Sequence, residues 1–239
     1  MSDPTLARGD EEFVAALRGL AHRYWGTHPF HDRMHAGELS EHELRVWAAN
    51  RWYYQSVLPQ KDAAIISNCP VPEVRRVWLD RIVYHDGAAD SPVDGGGDSG
   101  RERWLRLCEA VGLTRAEVLD ERHVVPGVRF AVDAYVTFAR TRPWVEAVAS
   151  GLTEMFSGHL MQRRVGDMLA GYDWIKPADL AYFTNRIEAV SGEGKSTVDI
   201  VVRYSTTRAE QDRAIAALSF KCDVLWSMLD AIERAAAKE

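Results

Sequence analysis

Pairs of polar side chains recur at helical spacing along this 239-residue chain. Arg81 and His85 are four residues apart, and so are Tyr182 and Arg186, so each pair shares one face of a helix. A guanidinium group pairs with carboxylates, and a neutral imidazole can accept a proton near pH 7. Such pairs are also common on solvated helix surfaces, so the spacing alone leaves both a surface role and a site role open.

Two further patterns place polar groups on faces that are otherwise apolar. Arg51, Tyr54 and Gln55 share one helical face, because they lie three and four residues apart. Lys221 stands among apolar neighbours on its own helical face. Because lysine is rarely buried without a partner, this pattern leaves two interpretations open, a buried and paired ammonium or a solvated one.

Histidines cluster early in the chain, at His28, His31 and His35, with Asp32 between them. Imidazole and carboxylate groups at this spacing could form a metal site on one helical face. The Glu-x-x-His motif of di-metal helical bundles does not occur in the sequence. Surface or capping roles are the alternative, and we expect no metal site.

The elements that must position these groups are helices. Apolar residues recur every three or four positions in 44–58, 74–83 and 215–232, and no segment alternates apolar and polar residues as a strand would. Ser40 and Glu43 form a capping box that opens a long helix. The pattern predicts an all-α, compact bundle of about seven helices. The glycine-rich segment 87–100 predicts a flexible loop inside one domain, 1–239.

Composition excludes several classes of partner. The net charge is −6, from 29 basic and 35 acidic residues, which argues against nucleic acid or an anionic membrane as the main partner. The chain has three widely spaced cysteines, no signal peptide and no apolar run long enough to span a membrane. We therefore expect a cytoplasmic protein with free, buried thiols.

Ordered segments along nearly the whole chain resemble the pyrroloquinoline-quinone (PQQ) synthase family. Such long matches in the same order are far more specific than any short motif. The segments that carry the resemblance are Tyr24, 28–31, 50–55, 61–63, 81–87, 121–123, 126–135, 152–156, 172–175 and 220–226.

The resemblance implies a compact helical bundle related to the heme-oxygenase-like fold, which works as a homodimer without a metal or an organic cofactor. The reaction it implies closes a ring and removes eight electrons from a bicyclic amino-acid quinone precursor. Dioxygen is the acceptor and becomes hydrogen peroxide, and PQQ is the product. The ligand is therefore a small quinone with several carboxylates, which arginines suit because the guanidinium fork binds a carboxylate in bidentate fashion.

The resemblance also implies roles for individual residues. His85 stands where the family has its general base, Tyr182 and Arg186 match residues near the dioxygen site, and Lys221 is expected to be a catalytic group. Six cations are expected to face one pocket: Arg51, Lys61, Arg81, Arg164, Arg186 and Lys221. The groups expected to complete the hydrogen bonds to the substrate are Tyr24, Tyr54, Gln55, Tyr135, Thr153 and Glu154.

Two positions depart from the family pattern. Trp25 and Met161 stand where many relatives have histidine, and His159 is too far around the helix to replace the latter. Two other functions remain open from the sequence. One is a metal-dependent oxygenase on the same fold that uses the early histidines, and the other is a non-catalytic binder of the finished quinone.

Overall fold

The chain is seen here in a computed structural model that describes residues 6–88 and 98–238, apart from the side chains of 188–195. These residues form eleven α-helices, joined in places by single turns of 3-10 helix, and contain no β-strand. The helices are α1 (Asp10–Arg18), α2 (Pro29–His35), α3 (Glu41–Asn68), α4 (Pro72–Asp86), α5 (Gly100–Ala110), α6 (Arg115–Leu119), α7 (Pro126–Thr141), α8 (Trp144–Ala149), α9 (Glu154–Gly171), α10 (Ala181–Tyr204) and α11 (Arg208–Ala236).

Local sequence signals explain where several helices begin. Reciprocal capping boxes open α3 at Ser40, α6 at Thr114 and α11 at Thr207, each with a glutamate three residues later. Proline occupies the first turn of α4 and of α7, where its missing N–H group costs nothing. The structure therefore confirms the predicted all-α class, and these sequence signals mark where the helices begin.

The described residues contain more helices than the seven or so that the pattern predicts. The difference comes mainly from α2, α6 and α8, which have only seven, five and six residues. Periodicity is hard to detect over so few positions, because one or two turns show no repeat. Most of the predicted 87–100 loop lies outside the described residues, and α5 begins at its last residue, Gly100.

An aromatic cluster fixes the helices that carry most of the polar pairs. The ring centroids of Trp47 on α3 and Trp104 on α5 are 5.4 Å apart, and the centroid of Phe183 on α10 lies 6.3 and 5.9 Å from theirs. All three residues are almost fully buried. Because Arg51 lies one turn beyond Trp47 and Tyr182 adjoins Phe183, this cluster sets where both side chains point.

Two buried apolar clusters stabilise the bundle, one around α3, α5, α7 and the second half of α11, the other around α1, α8 and the first half of α11. Helices α3, α7 and α11 pack against one another. None of the described helices combines the length and the apolar composition needed to cross a membrane.

Candidate active site

Among the side chains that the structure describes, four cations and two carboxylates, Asp62 and Glu154, line a cavity between α3, α4, α7, α9, α10 and α11. Eleven of the fourteen predicted site residues line it: Tyr24, Arg51, Tyr54, Lys61, Arg81, His85, Tyr135, Thr153, Glu154, Tyr182 and Arg186. The chain carries a net negative charge, so the excess of positive charge in this cavity is a local property of the fold.

Glu154 joins two of the cavity's arginines. Arg81 donates from Nη1 to Glu154 Oε2 at 3.0 Å and from Nη2 to Oε1, and Arg186 donates to Oε1 at 2.9 Å. Burial by itself would raise the pKa of the Glu154 carboxyl, but Arg81 and Arg186 outweigh it and hold this pKa at about 2. Both carboxylate oxygens are thus engaged by guanidinium groups, and the carboxylate stays ionised at neutral pH.

Asp62 forms the second ion pair of the cavity. Its Oδ1 accepts a hydrogen bond from the ammonium of Lys61 and lies 3.8 Å from Arg81 Nε. Its Oδ2 is buried and has no hydrogen-bond partner in the described part of the chain. Burial lowers the pKa of Lys61, while the negative charge of Asp62 opposes that effect.

Arg51 is held by aromatic rings rather than by a carboxylate. Its Cζ lies 4.7 Å from the ring centroid of Trp25, 4.6 Å from that of Tyr54 and 5.3 Å from that of Trp104. Two of its nitrogens, Nε and Nη1, are buried without a hydrogen-bond partner among the described residues. Burial lowers its pKa, but an arginine stays charged at neutral pH, so Arg51 offers unused donors to an anionic ligand.

His85 lies among the cavity's cations. Burial lowers the pKa of this imidazole well below 6.5, and Arg186 and Arg81 lower it further. The ring packs edge-on against Tyr84, and its Nδ1 is buried without a hydrogen-bond partner in the described residues. At neutral pH the imidazole is therefore uncharged and free to accept a proton.

Three predicted site residues do not line the cavity: Gln55, Arg164 and Lys221. Gln55 accepts a hydrogen bond from the hydroxyl of Tyr182 at 3.0 Å. The prediction that all six cations face one pocket is therefore too broad, because only Arg51, Lys61, Arg81 and Arg186 line it. Helical spacing places a residue on a face, but only packing decides whether that face reaches the cavity.

Lys221 is the buried, partnered lysine that the apolar pattern left open. It is 1% exposed, donates to the hydroxyl of Tyr54 at 2.8 Å and lies 3.4 Å from the ring centroid of Tyr135. Burial lowers its pKa well below 10.5, and Lys61 and Arg51 lower it further. Its direct partners, a hydroxyl and two aromatic rings, carry no formal negative charge to oppose these effects.

The early histidines do not converge on one point. His31 bonds the carbonyl of Trp25 at 2.9 Å and Arg164 Nη2 at 3.1 Å, while His35 bonds Asp167 at 2.9 Å. Because its Nδ1 faces a carbonyl, His31 carries a proton there and accepts from Arg164 through Nε2. Burial lowers the pKa of His31 well below 6.5, which keeps this acceptor neutral.

His28 is separate from both and caps α2. It lies with Asp230 and Glu233 in the one group of potential metal ligands found among the described residues. Its Nδ1 accepts from the backbone N–H of Phe30 at 3.1 Å, so in the neutral ring the proton is on Nε2, which lies 3.2 Å from Asp230. A metal ion would have to displace that proton, and none of these three residues lines the cavity.

Seven residues of the wall are not among the predicted site residues, although the sequence marks two of them, Trp25 and Met161, as departures from the family pattern. The seven are Trp25, Leu58, Asp62, Gly151, Ser157, Met161 and Leu225. A signal existed for two of them, because Ser157 and Met161 share a helical face with Glu154. Met161 lines the cavity and His159 is exposed, as expected from their separation around the helix. Trp25 lines it as well and covers one side of Arg51.

Comparison with known proteins identifies relatives of the whole chain. Residues 14–231 match the TENA/THI-4/PQQC family. Pyrroloquinoline-quinone synthase of Acidiphilium cryptum is 45% identical over 232 residues, which cover 97% of this chain and 92% of that protein. The protein of the same name from Pseudomonas aeruginosa (strain LESB58) is 48% identical, and the match covers 94% of this chain and 87% of that protein. The bifunctional coenzyme PQQ synthesis protein C/D of Methylorubrum extorquens is 48% identical, but this chain spans 58% of it.

Solved structures resemble the fold at much lower sequence identity. A domain of unknown function with a heme oxygenase-like fold from Shewanella denitrificans matches with a TM-score of 0.76 at 12% identity, over 95% of this chain and 93% of that one. A CADD-like protein of unknown function from Nostoc punctiforme matches with a TM-score of 0.74 at 12% identity, over 95% of this chain and 99% of that one. These matches concern the fold alone, and they confirm the predicted helical bundle.

Proposed function

Because the chain belongs to the pyrroloquinoline-quinone synthase family, we propose that it catalyses the last step of PQQ synthesis. The reaction is ring closure and eight-electron oxidation of a bicyclic amino-acid quinone precursor. Dioxygen is the acceptor, hydrogen peroxide is released, and no metal or organic cofactor takes part. The proposal includes a homodimer in the cytoplasm, as the family resemblance implies.

The observation that carries the proposal is the charge of the cavity. Among the side chains that the structure describes, four cations line it against two carboxylates, and Lys221 is hydrogen-bonded to Tyr54 of the wall. Like charges brought together in a low-dielectric interior repel one another, so this arrangement is costly without an anion. A ligand with several carboxylates offsets that cost, whereas a neutral substrate would not.

Individual side chains suit separate parts of such a ligand. Arg51 has two unpartnered nitrogens for a carboxylate, and its aromatic surroundings offer flat surfaces to a quinone ring. Tyr24 and Thr153 add hydroxyl groups to the wall. The cavity therefore combines the charge, the hydrogen-bonding groups and the aromatic surfaces that a planar polyanion requires.

His85 suits the role of general base. A neutral imidazole can remove a proton from a C–H or N–H group next to a quinone, and the anion that develops lies among Arg81, Arg186 and Lys61. The cations that lower the pKa of His85 are the same ones that would stabilise this anion. We assign the dioxygen steps to Tyr182 and Arg186, which line the same cavity as Met161.

Metal-dependent oxygenation is less well supported by the donor groups. His85 is the histidine that lines the cavity, both oxygens of Glu154 are engaged by arginines, and Oδ1 of Asp62 is engaged by Lys61. One carboxylate oxygen and one imidazole are few ligands for a metal ion. A divalent cation at this point would lie among four positive charges. The His28 group lies elsewhere and has a tautomer that opposes coordination.

The test is anaerobic mixing of the protein with the quinone precursor, followed by admission of oxygen. We expect a change in the absorbance spectrum on binding, and formation of PQQ and hydrogen peroxide only after oxygen enters. His85→Ala should bind the precursor but turn it over about 100-fold more slowly, because general-base catalysis contributes at least that much. His159→Ala is the matched control, since that histidine is exposed, and should behave as wild type.

Three results would count against the proposal. Binding of the precursor without any oxygen uptake would indicate a carrier of the quinone. Stoichiometric iron or manganese required for turnover would indicate the metal-dependent alternative. Normal turnover by His85→Ala would exclude His85 as the base.

A further inference from the structure

Asp62 is a buried carboxylate whose hydrogen-bonding capacity is only half used. It is 1% exposed and lines the cavity. Its Oδ1 contacts Lys61 and faces Arg81, whereas its Oδ2 is buried with no hydrogen-bond partner in the part of the chain that the structure describes. A buried, unpaired carboxylate oxygen is costly, because it has lost its water and gained nothing in return.

Glu154, the other carboxylate in the wall, provides an internal comparison. Arg81 and Arg186 occupy both of its oxygens, so it has the arrangement expected of a charge that holds the wall together. Asp62 differs, because an acceptor remains unused although cations stand nearby. Its contact with Arg81 Nε is 3.8 Å long, which is too long for a hydrogen bond.

The surroundings of Asp62 define what the unused acceptor can bind. The cavity is otherwise rich in donors, with three arginines, a lysine and several hydroxyl groups, and these suit the carboxylates of a ligand. The guanidinium and ammonium groups only donate, so they cannot bind an ammonium or N–H group of a ligand. Hydroxyl groups and the neutral His85 can accept, but without the negative charge that a carboxylate offers to an ammonium group. An amino acid carries both kinds of group, so a site that holds one needs an acceptor as well as cations.

We propose that Asp62 binds the amino group of the substrate through Oδ2. The inference rests on the proposed function, since it concerns how the amino-acid precursor lies in this cavity. The arginines take the carboxylates, and Asp62 takes the ammonium group. This contact orients the amino group and also distinguishes precursor from product, because both nitrogens of PQQ belong to aromatic rings and neither is an ammonium. With product bound, the charge of Asp62 faces a ligand that carries only negative charges.

The test is to measure anaerobic dissociation constants of the precursor and of PQQ for wild type and Asp62→Asn. Asparagine keeps the size of the side chain but removes the charge. We expect precursor binding to weaken about tenfold or more, which is typical for loss of a charge-assisted hydrogen bond. Binding of PQQ should change less than about threefold or become tighter, because the cavity gains net positive charge.

Asp133→Asn is the matched control, because Asp133 is exposed and its partner is the hydroxyl of Tyr53 outside the cavity wall. It should leave both constants unchanged.

A precursor analogue that lacks the amino group, tested on wild type, gives the same comparison if Asp62→Asn does not fold. This analogue should bind at least about tenfold more weakly than the precursor.

Equal weakening of both ligands by Asp62→Asn, or no weakening of either, would overturn the inference and indicate that Asp62 only neutralises Lys61. Wild-type binding of the analogue as tight as that of the precursor would overturn it as well. If wild type binds neither the precursor nor PQQ, the proposed function itself fails, and the inference fails with it.

Discussion

Replacement of Glu154 by glutamine removes the negative charge that Arg81 and Arg186 share. The carboxylate is 12% exposed and receives hydrogen bonds from both guanidinium groups. In Glu154→Gln the two arginines keep an amide oxygen as acceptor but lose the compensating charge. The share of Glu154 in offsetting the repulsion between them, and between each of them and Lys61, is then lost.

The pKa of Glu154 provides the magnitude. The difference between the ordinary carboxyl pKa of 4.5 and the value of about 2 in the folded protein corresponds to roughly 3 kcal/mol of stability at pH 7. Because the folded-state pKa is the lower one, this contribution is complete above about pH 4.5 and is lost as the pH falls towards 2. About half of it should be lost near pH 3.

The assay is urea unfolding of wild type and Glu154→Gln between pH 7 and pH 3. We expect the variant to be less stable by about 3 kcal/mol at pH 7 and by about half as much at pH 3. The control is Glu41→Gln, which breaks an exposed pair with Arg45 and should cost about 0.5 kcal/mol or less. A variant as stable as wild type at pH 7, or a difference that does not shrink in acid, would refute the role assigned to this charge.

Three other predictions concern turnover and binding. The acid limb of kcat/KM, followed by oxygen uptake, reports the ligand-free protein and should lie below pH 6.5, because burial and nearby arginines lower the pKa of His85. An acid limb at or above that pH would contradict its role as base. Lys221→Met should bind the precursor about tenfold more weakly, because an apolar side chain replaces an ammonium group hydrogen-bonded to Tyr54. The melting temperature of the variant should stay within a few degrees of that of wild type. A large drop in melting temperature would show that Lys221 has a structural role instead. Turnover should survive dialysis against a chelator, with metal content measured in parallel, and loss of activity that returns with iron or manganese would reverse the proposal.

A second layer of polar side chains holds the cavity wall in place. Gln55 accepts from the hydroxyl of Tyr182, and Lys221 donates to the hydroxyl of Tyr54. Each contact restricts the rotation of a buried group, so the wall is ordered before a ligand arrives, and less entropy is lost on binding.

The amino-acid sequence by itself determined the helical class and many helix starts. A capping box such as Ser40 with Glu43 involves residues three apart, so nothing distant is needed to recognise it. The same holds for Arg81 with His85 and for Tyr182 with Arg186, where helical geometry alone puts both side chains on one face. The resemblance of long ordered segments added the family and most of the residues in the cavity wall.

Only the tertiary structure decided which of those faces meet. Gln55 and Arg51 lie on neighbouring positions of one helical face, yet Arg51 lines the cavity and Gln55 does not. Asp62 follows the predicted site residue Lys61 in sequence. Only the packed structure shows that its Oδ2 has no hydrogen-bond partner among the described residues and that α4 places Arg81 beside its Oδ1. The physical reason is that helical period fixes the direction of a side chain relative to its own helix, whereas burial, charge and pKa depend on the helices packed around it.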